Sequence, residues 1–325
     1  MSKYYLALFF IPLFWSVRGQ CCSGGVPLSS SVGLPPAEEG SLQLNLNYSW
    51  NHLDRLKSGS NLINDHLRKR DTHSLIVESG YTFSSKFSLD FFGSIVRQER
   101  EINTLDGNSS FVFTQGLGDI VLLPKYHINS HLVFGLGVKL PTGLANFNDV
   151  NGIALPADLQ PGSGAIDWIP NAYYQIPFNR RPSLQFATKL TYRITGKNNH
   201  YFNTDNSYQF GNEVQWQILL SDQFVILKTL LDPFLGIRFR WAERDFFNTQ
   251  FFPGSGGNFI FVSTGISVPL SSTLFWQWST AIPLHSFVNE TQLVPTLSLV
   301  TGMRWQFAKR KKPISSLFTS NTTIQ

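Results

Sequence analysis

From Ser41 onward the chain alternates, residue by residue, between apolar and polar side chains, and no other feature limits its fold so strongly. Leu42, Leu44, Leu46, Tyr48 and Trp50 share one parity, and Gln43, Asn45, Asn47 and Ser49 the other. Successive side chains of a β-strand point to opposite sides, so the segment presents one apolar and one polar face. Soluble sandwiches also do this, so one strand decides nothing; the repetition does. Leu184, Phe186, Leu190, Tyr192 and Ile194 oppose Gln185, Lys189, Thr191, Arg193 and Thr195. Leu297, Leu299, Met303, Trp305 and Phe307 oppose Ser298, Arg304 and Gln306. The pattern predicts about twelve strands, near 41–52, 73–84, 86–98, 115–128, 130–140, 165–178, 182–195, 207–220, 224–241, 257–269, 272–285 and 295–307.

The connections carry a second clue. After every even-numbered segment they are short, as at Ser84-Ser85-Lys86, Asn129-Ser130, Asn179-Arg180-Arg181, Ser221-Asp222-Gln223 and Leu270-Ser271-Ser272. Several of the others are long and polar or Gly-rich: Asp54 to Asp71, Pro141 to Gly164 and Ala242 to Gly256. Short turns at one end, long loops at the other and an even count predict a closed antiparallel transmembrane β-barrel, with periplasmic turns and extracellular loops. Such a barrel satisfies its backbone within itself and leaves no edge to the lipid. Pro124, Pro170 and Pro233 fall inside predicted strands, where bulges or strand ends are expected.

Composition agrees. Charged residues are 14 % against about 25 % in ordinary soluble proteins, while 28 Phe, 10 Tyr and 8 Trp supply aromatics for interfacial girdles. Tyr48 and Trp50, Phe246 and Phe247, Phe251 and Phe252, and Trp305 and Phe307 are the expected girdle positions. No uncharged apolar run reaches the ~20 residues of a membrane helix. The net charge of +5 misleads. Lys3, Arg18 and the run Lys309 to Lys312 lie outside the barrel, and without those six the body carries −1, with no basic patch for nucleic acid.

Residues 1–20 read as a secretory signal peptide: Lys3, an apolar core from Tyr4 to Trp15, then small Val17 and Gly19. Export by such a signal places the barrel, residues 41–307, in the outer membrane of a Gram-negative bacterium. Cys21 and Cys22, the only cysteines, follow at once. A lipidated Cys, a vicinal or intermolecular disulfide, a soft-metal thiol pair and a pair without chemistry all remain open. Residues 21–40 form an irregular segment able to fold in as a plug, and 308–325 a basic periplasmic tail. Barrels of this kind commonly end on an aromatic read by the outer-membrane insertion machinery; Phe307 fits, with 18 residues after it.

The polar face gathers charge: Glu78, Asp90, Asp119, Asp167 and Glu213 against Lys125, Lys139, Lys189, Arg193, Arg238, Arg240 and Arg304. Pairing across strands would fix register, while a charged constriction with its basic excess would favour anions. The pore-lining candidates are Asp90, Lys189, Arg193, Glu213, Arg238, Arg240 and Arg304.

Three passages resemble an outer-membrane transporter family named for the phenol-degradation meta pathway. They are Gln115 to Ile120 running on to Lys125-Tyr126, Phe134 to Gly143, and Pro161 to Trp168. The resemblance implies passage of small hydrophobic or aromatic compounds across the outer membrane; it names no ligand and transfers no binding residue.

Some twelve-stranded barrels are phospholipases, but none of the seven histidines sits in the His-x-Ser-Asn-Gly arrangement of that group. His73 and Ser74, adjacent on a strand, point to opposite faces. No nucleotide fingerprint or clustered metal spacing is present, and no cofactor is expected. The leading expectation is therefore a passive channel or transporter for small molecules. A sealed barrel binding a partner, or lipopolysaccharide through Arg55, Lys57, Arg68, Lys69 and Arg70, stands second, and an outer-membrane hydrolase third.

Overall fold

The computed structural model describes residues 37–308 except 105, 149–151, 153, 202, 203 and 228. The expected signal peptide, Cys21 and Cys22, most of the candidate plug and the tail from 309 lie outside these residues.

The strands are β1 (Leu42–Gly59), β2 (Arg68–Thr82), β3 (Phe87–Asn103), β4 (Ser109–Leu117), β5 (Ile120–His127) and β6 (Leu132–Leu140). They continue as β7 (Asp167–Phe178), β8 (Arg181–Arg193), β9 (Glu213–Ser221), β10 (Thr229–Ala242), β11 (Gly257–Pro269) and β12 (Leu274–Phe307). Each pairs antiparallel with its neighbours in sequence, except that β4 pairs with β3 alone and β5 with β3 and β6, and β12 returns to β1, so the sheet closes. Eleven runs make the ring. The last, 34 residues long, folds back on itself at Asn289-Glu290. Its arm 274–288 pairs with β11 and its arm 291–307 with β1, and Thr301 Oγ1 donates across the hairpin to the Gln277 carbonyl at 3.2 Å. With both arms counted, and β4 and β5 taken as one interrupted stave, twelve antiparallel staves enclose the lumen.

The faces are inverted relative to a soluble protein. Asn45 is 6 % exposed and its neighbour Leu46 39 %. Gln43, Asn47 and Ser49 are likewise buried, while Leu42 and Tyr48 are exposed. Polar side chains fill the inside and apolar ones coat the outside, as lipid requires.

Strands overshoot the predicted ends on the extracellular side: β1 runs on to Gly59 and β3 to Asn103. The prolines leave gaps in the ladder. Around Pro124 the pairs Leu122↔Val138 and Lys125↔Gly135 keep one register, so no bulge forms there. Pro170 lies where pairing of β7 with β8 stops at Asn171↔Thr191, and Pro233 one residue past the last β9–β10 pair, Ser221↔Phe234. Pro cannot donate to a ladder, so each occupies a position where no bond is needed.

One expectation is corrected. Phe246, Phe247 and Phe251 do not belong to a membrane girdle. They lie in a separate small sheet of Lys197–Tyr201, Asn206–Gln209, Phe246–Phe247 and Gln250–Phe251 at the long-loop end. Tyr201, Tyr208 and Phe210 pack there with Ala157, and Phe247 against them, so these aromatics form a cap core.

Candidate pore lining and constriction

The strand parity that turns Asn45 inward also turns in a belt of alternating charge. Lys139 Nζ on β6 lies 3.0 Å from Asp119 and 2.8 Å from Asp167 on β7. Asp167 also accepts from Arg193 Nε at 2.6 Å, and Arg193 on β8 stands opposite Glu213 on β9. Glu213 in turn holds Arg240 Nη2 on β10 at 2.9 Å. Six groups of alternating sign thus run around the wall, each flanked by its opposite. Pairing of this kind offsets the cost of taking charges out of water. Nearer the periplasmic turns, Lys125 and Asp90 pair at 2.7 Å.

Asp119 has a second task. Its Oδ1 accepts the Gly143 N–H at 3.0 Å, and its Oδ2 accepts the Ser163 N–H at 3.0 Å and the Ser163 hydroxyl at 2.7 Å. One carboxylate therefore holds both ends of the segment between β6 and β7. Gly143 and Gly162 meet backbone to backbone there; a Cβ on Gly143 would lie 2.7 Å from the Gly162 Cα. All three sequence passages behind the family resemblance converge on this one junction.

Pinned at its ends, the segment folds into the lumen. Leu155, Ala157, Leu159 and Gln160 are buried. Arg70 Nη1 donates to Asp158 at 2.7 Å, Gln98 Nε2 to the Gln160 carbonyl at 3.1 Å, and Thr114 Oγ1 to the Leu159 carbonyl. Arg70, Gln98 and Thr114 are inward residues of β2, β3 and β4, so the segment lies against the inside of that wall. Above it, the cap's Tyr201 hydroxyl accepts the Ala157 N–H at 2.9 Å. Tyr208 donates to Asp245; burial, then the neighbouring carboxylate, raises its hydroxyl above the ordinary phenol range, so it remains a donor.

The same segment completes the wall. β4 pairs only with β3, and β6 ends at Leu140, opposite Ile120 at the start of β5. Beside β4 the next backbone is Leu144, whose N–H reaches the Leu117 carbonyl at 3.2 Å.

Of the seven candidate residues, Asp90, Arg193, Glu213 and Arg240 sit in ion pairs on the inner face. Lys189 and Arg304 are inward without a carboxylate at ion-pair distance among the described residues. Arg238, 9 % exposed, lies over the Phe261 ring at 4.4 Å, and its Nε has no acceptor. Arg70, grouped above with the lipopolysaccharide-facing cations, is turned inward onto Asp158, because it shares parity with Ser74 and Glu78. Among the described residues no group of three or more His, Cys, Asp or Glu is placed to hold a metal.

A closed ring with an apolar exterior, a charged interior and an inward-folded loop defines an outer-membrane type of barrel. Comparison with known proteins agrees: residues 103–229 match the family model described as "MetA-pathway of phenol degradation", a span containing all three passages. The fold is similar to that of an outer membrane channel from Pseudomonas putida F1, with a TM-score of 0.63 at 14 % identity, over 86 % of this chain and 99 % of that one. The transport unit of the autotransporter AIDA-I from Escherichia coli aligns at a TM-score of 0.48 and 9 % identity, over 85 % of this chain and 93 % of that one. The CymD monoaromatic hydrocarbon channel aligns at 0.42 and 9 % identity, over 85 % and 90 %. Comparison with curated proteins finds no match.

Proposed function

We propose that this chain is an outer-membrane channel for the passive passage of small, hydrophobic or aromatic molecules, with the segment between β6 and β7 as its constriction. The observation that carries the reading is the inward course of that segment, held by Asp119 at both ends. A barrel serving only as a membrane anchor has no need of a pinned loop in its lumen. Twelve staves lie between the filled eight-stranded barrel and the open porins, so a narrow path beside the loop fits the geometry. The family description and the channel from Pseudomonas putida F1 support the same reading. Residues 1–20 act as the export signal, and β1 starts at the periplasmic rim, where the Gly40 N–H meets the Thr82 carbonyl at 2.8 Å. Arg55, Arg68 and Lys69, exposed at the extracellular end, face anionic lipopolysaccharide.

The test is the conductance of the refolded chain from residue 21 in a planar bilayer, with and without residues 21–36. Steady current from the longer form supports a diffusion pore, and current only from the shorter one supports a plug. Silence in both sinks the aqueous pore.

A second reading rests on the wall itself. Phe111, Phe113, Leu117, Leu144 and Trp168, all exposed, flank the stretch where loop replaces strand. In this reading apolar solutes leave sideways into the lipid, and efflux of a fluorescent aromatic from vesicles proceeds without ion current.

A further inference from the structure

β4 leaves the ring with a free edge. It pairs with β3 along its whole length, and above the Leu144 contact no described residue bonds to its other side. Which backbone groups point that way follows from the contacts at its end. The Gly118 N–H bonds to the Ser94 carbonyl on β3, whereas the Leu117 carbonyl turns the other way, to the Leu144 N–H. Residues of an antiparallel strand turn their backbone groups alternately to one neighbour and to the other. Even-numbered residues of β4 therefore face β3, and Phe111, Phe113 and Gln115 turn N–H and C=O to the open flank.

That flank stands clear of the hydrocarbon. Leu117 is level with the outward Ile95, but above it Gln115 pairs with Arg97, Phe113 with Glu99 and Phe111 with Glu101. The next outward residues at those heights, on β2, are His73, Asp71 and Lys69. Charges at successive outward positions are costly in lipid and ordinary at its aqueous margin, so the edge meets water at the long-loop end.

Exposed edges ordinarily carry a lysine, a proline or a bulge that keeps other strands from adding. The run Ser109–Leu117 has no charged residue and no proline, and its register with β3 is unbroken. Phe111 and Phe113, 55 % and 54 % exposed, stand outward along it. The inner side is already filled: Thr114 bonds to the Leu159 carbonyl, and Leu144, Phe147 and Pro161 crowd Gly116. A second copy in the same membrane would bring its own β4 alongside running in the same direction, so it cannot supply an antiparallel ladder. An extended segment arriving from the aqueous side can.

We propose that the free edge of β4 docks an extended segment of another protein by strand addition. The added strand runs antiparallel to β4, with bulky apolar side chains outward against Phe111 and Phe113 and small ones inward. Backbone bonds supply the affinity of such an addition, and alternate side chains its selectivity. The edge lies outside the luminal path, so docking is a function separate from conduction.

The experiment follows, by fluorescence anisotropy, a dye-labelled short peptide that alternates valine with serine and ends in lysines, added to the refolded chain from residue 21 in detergent. Saturable binding is expected. The same peptide N-methylated at the alternate amides that would face β4 should bind about tenfold or more weakly, because its side chains are unchanged and its donors are gone. Gln115→Pro removes a donor from the open flank and spares the ladder to β3, so it should weaken the parent peptide to a similar degree. Gln115→Ala, which keeps the donor, should bind as the wild type does. Absence of saturable binding overturns the docking edge, as does equal binding of the two peptides to the wild-type protein. Binding by Gln115→Pro as tight as by Gln115→Ala does the same. A dimer in sedimentation that Gln115→Pro dissociates also overturns it, by assigning the edge to a second copy.

Discussion

Asp119 joins two functions in one side chain, a partner for Lys139 and a clasp for the loop ends. Replacing it with Ala leaves Lys139 with Asp167 as its one carboxylate partner and frees the Gly143 and Ser163 amides. The expected cost is about 3 kcal/mol in urea unfolding followed by tryptophan fluorescence, together with a larger single-channel current. Stability within 0.5 kcal/mol of wild type, on the scale of an ordinary surface change, would remove Asp119 from that role. Arg238 and Arg240 should matter to selectivity instead. Replacing both with Ala should shift the reversal potential in a salt gradient away from anions, and an unmoved potential would place them off the ion path. The parity of the sequence identified every inward charge of this belt. It gave no sign of which charges neutralise one another, because ring neighbours such as Asp167, Arg193 and Glu213 are far apart along the chain.

At the scale of elements, the segment between β6 and β7 is the part that sequence periodicity could not place. Alternation marks strands, and Pro141 to Gly164 has none, so only its length and its glycines are legible there. Its course is dictated by contacts from elsewhere: Arg70 on β2, Gln98 on β3 and Thr114 on β4. The glycine motifs were visible, but their reason is spatial, since Gly143 and Gly162 touch only once the loop is folded in. Gly143→Ala should therefore undock the loop without unfolding the barrel. The measurement is limited chymotrypsin digestion, with faster cleavage at Leu144 or Phe147 expected and an unchanged digestion rate counting against the junction. Phe246, Phe247 and Phe251 illustrate the same limit, because aromatic pairs near strand ends serve a girdle or a cap equally well in sequence, and only pairing with Asn206–Gln209 distinguishes them.

The whole molecule is the most legible level, because lipid outside and water inside impose opposite demands on alternate residues of every stave. Leu46→Arg on the outer face should cost about 2–4 kcal/mol if it lies near the bilayer midplane, whereas Asn47→Ser on the inner face should cost far less; unfolding from lipid vesicles measures both. Equal costs would mean that the faces are assigned the wrong way round. A channel narrowed by its own loop must widen when that loop is cut away. Residues 145–160 are replaced by a short Gly-Ser linker, keeping Asp119, Gly143 and Ser163, and single-channel conductance is compared with that of the intact chain. A conductance several-fold higher with the same barrel stability is expected. Identical conductance in the two proteins would contradict it.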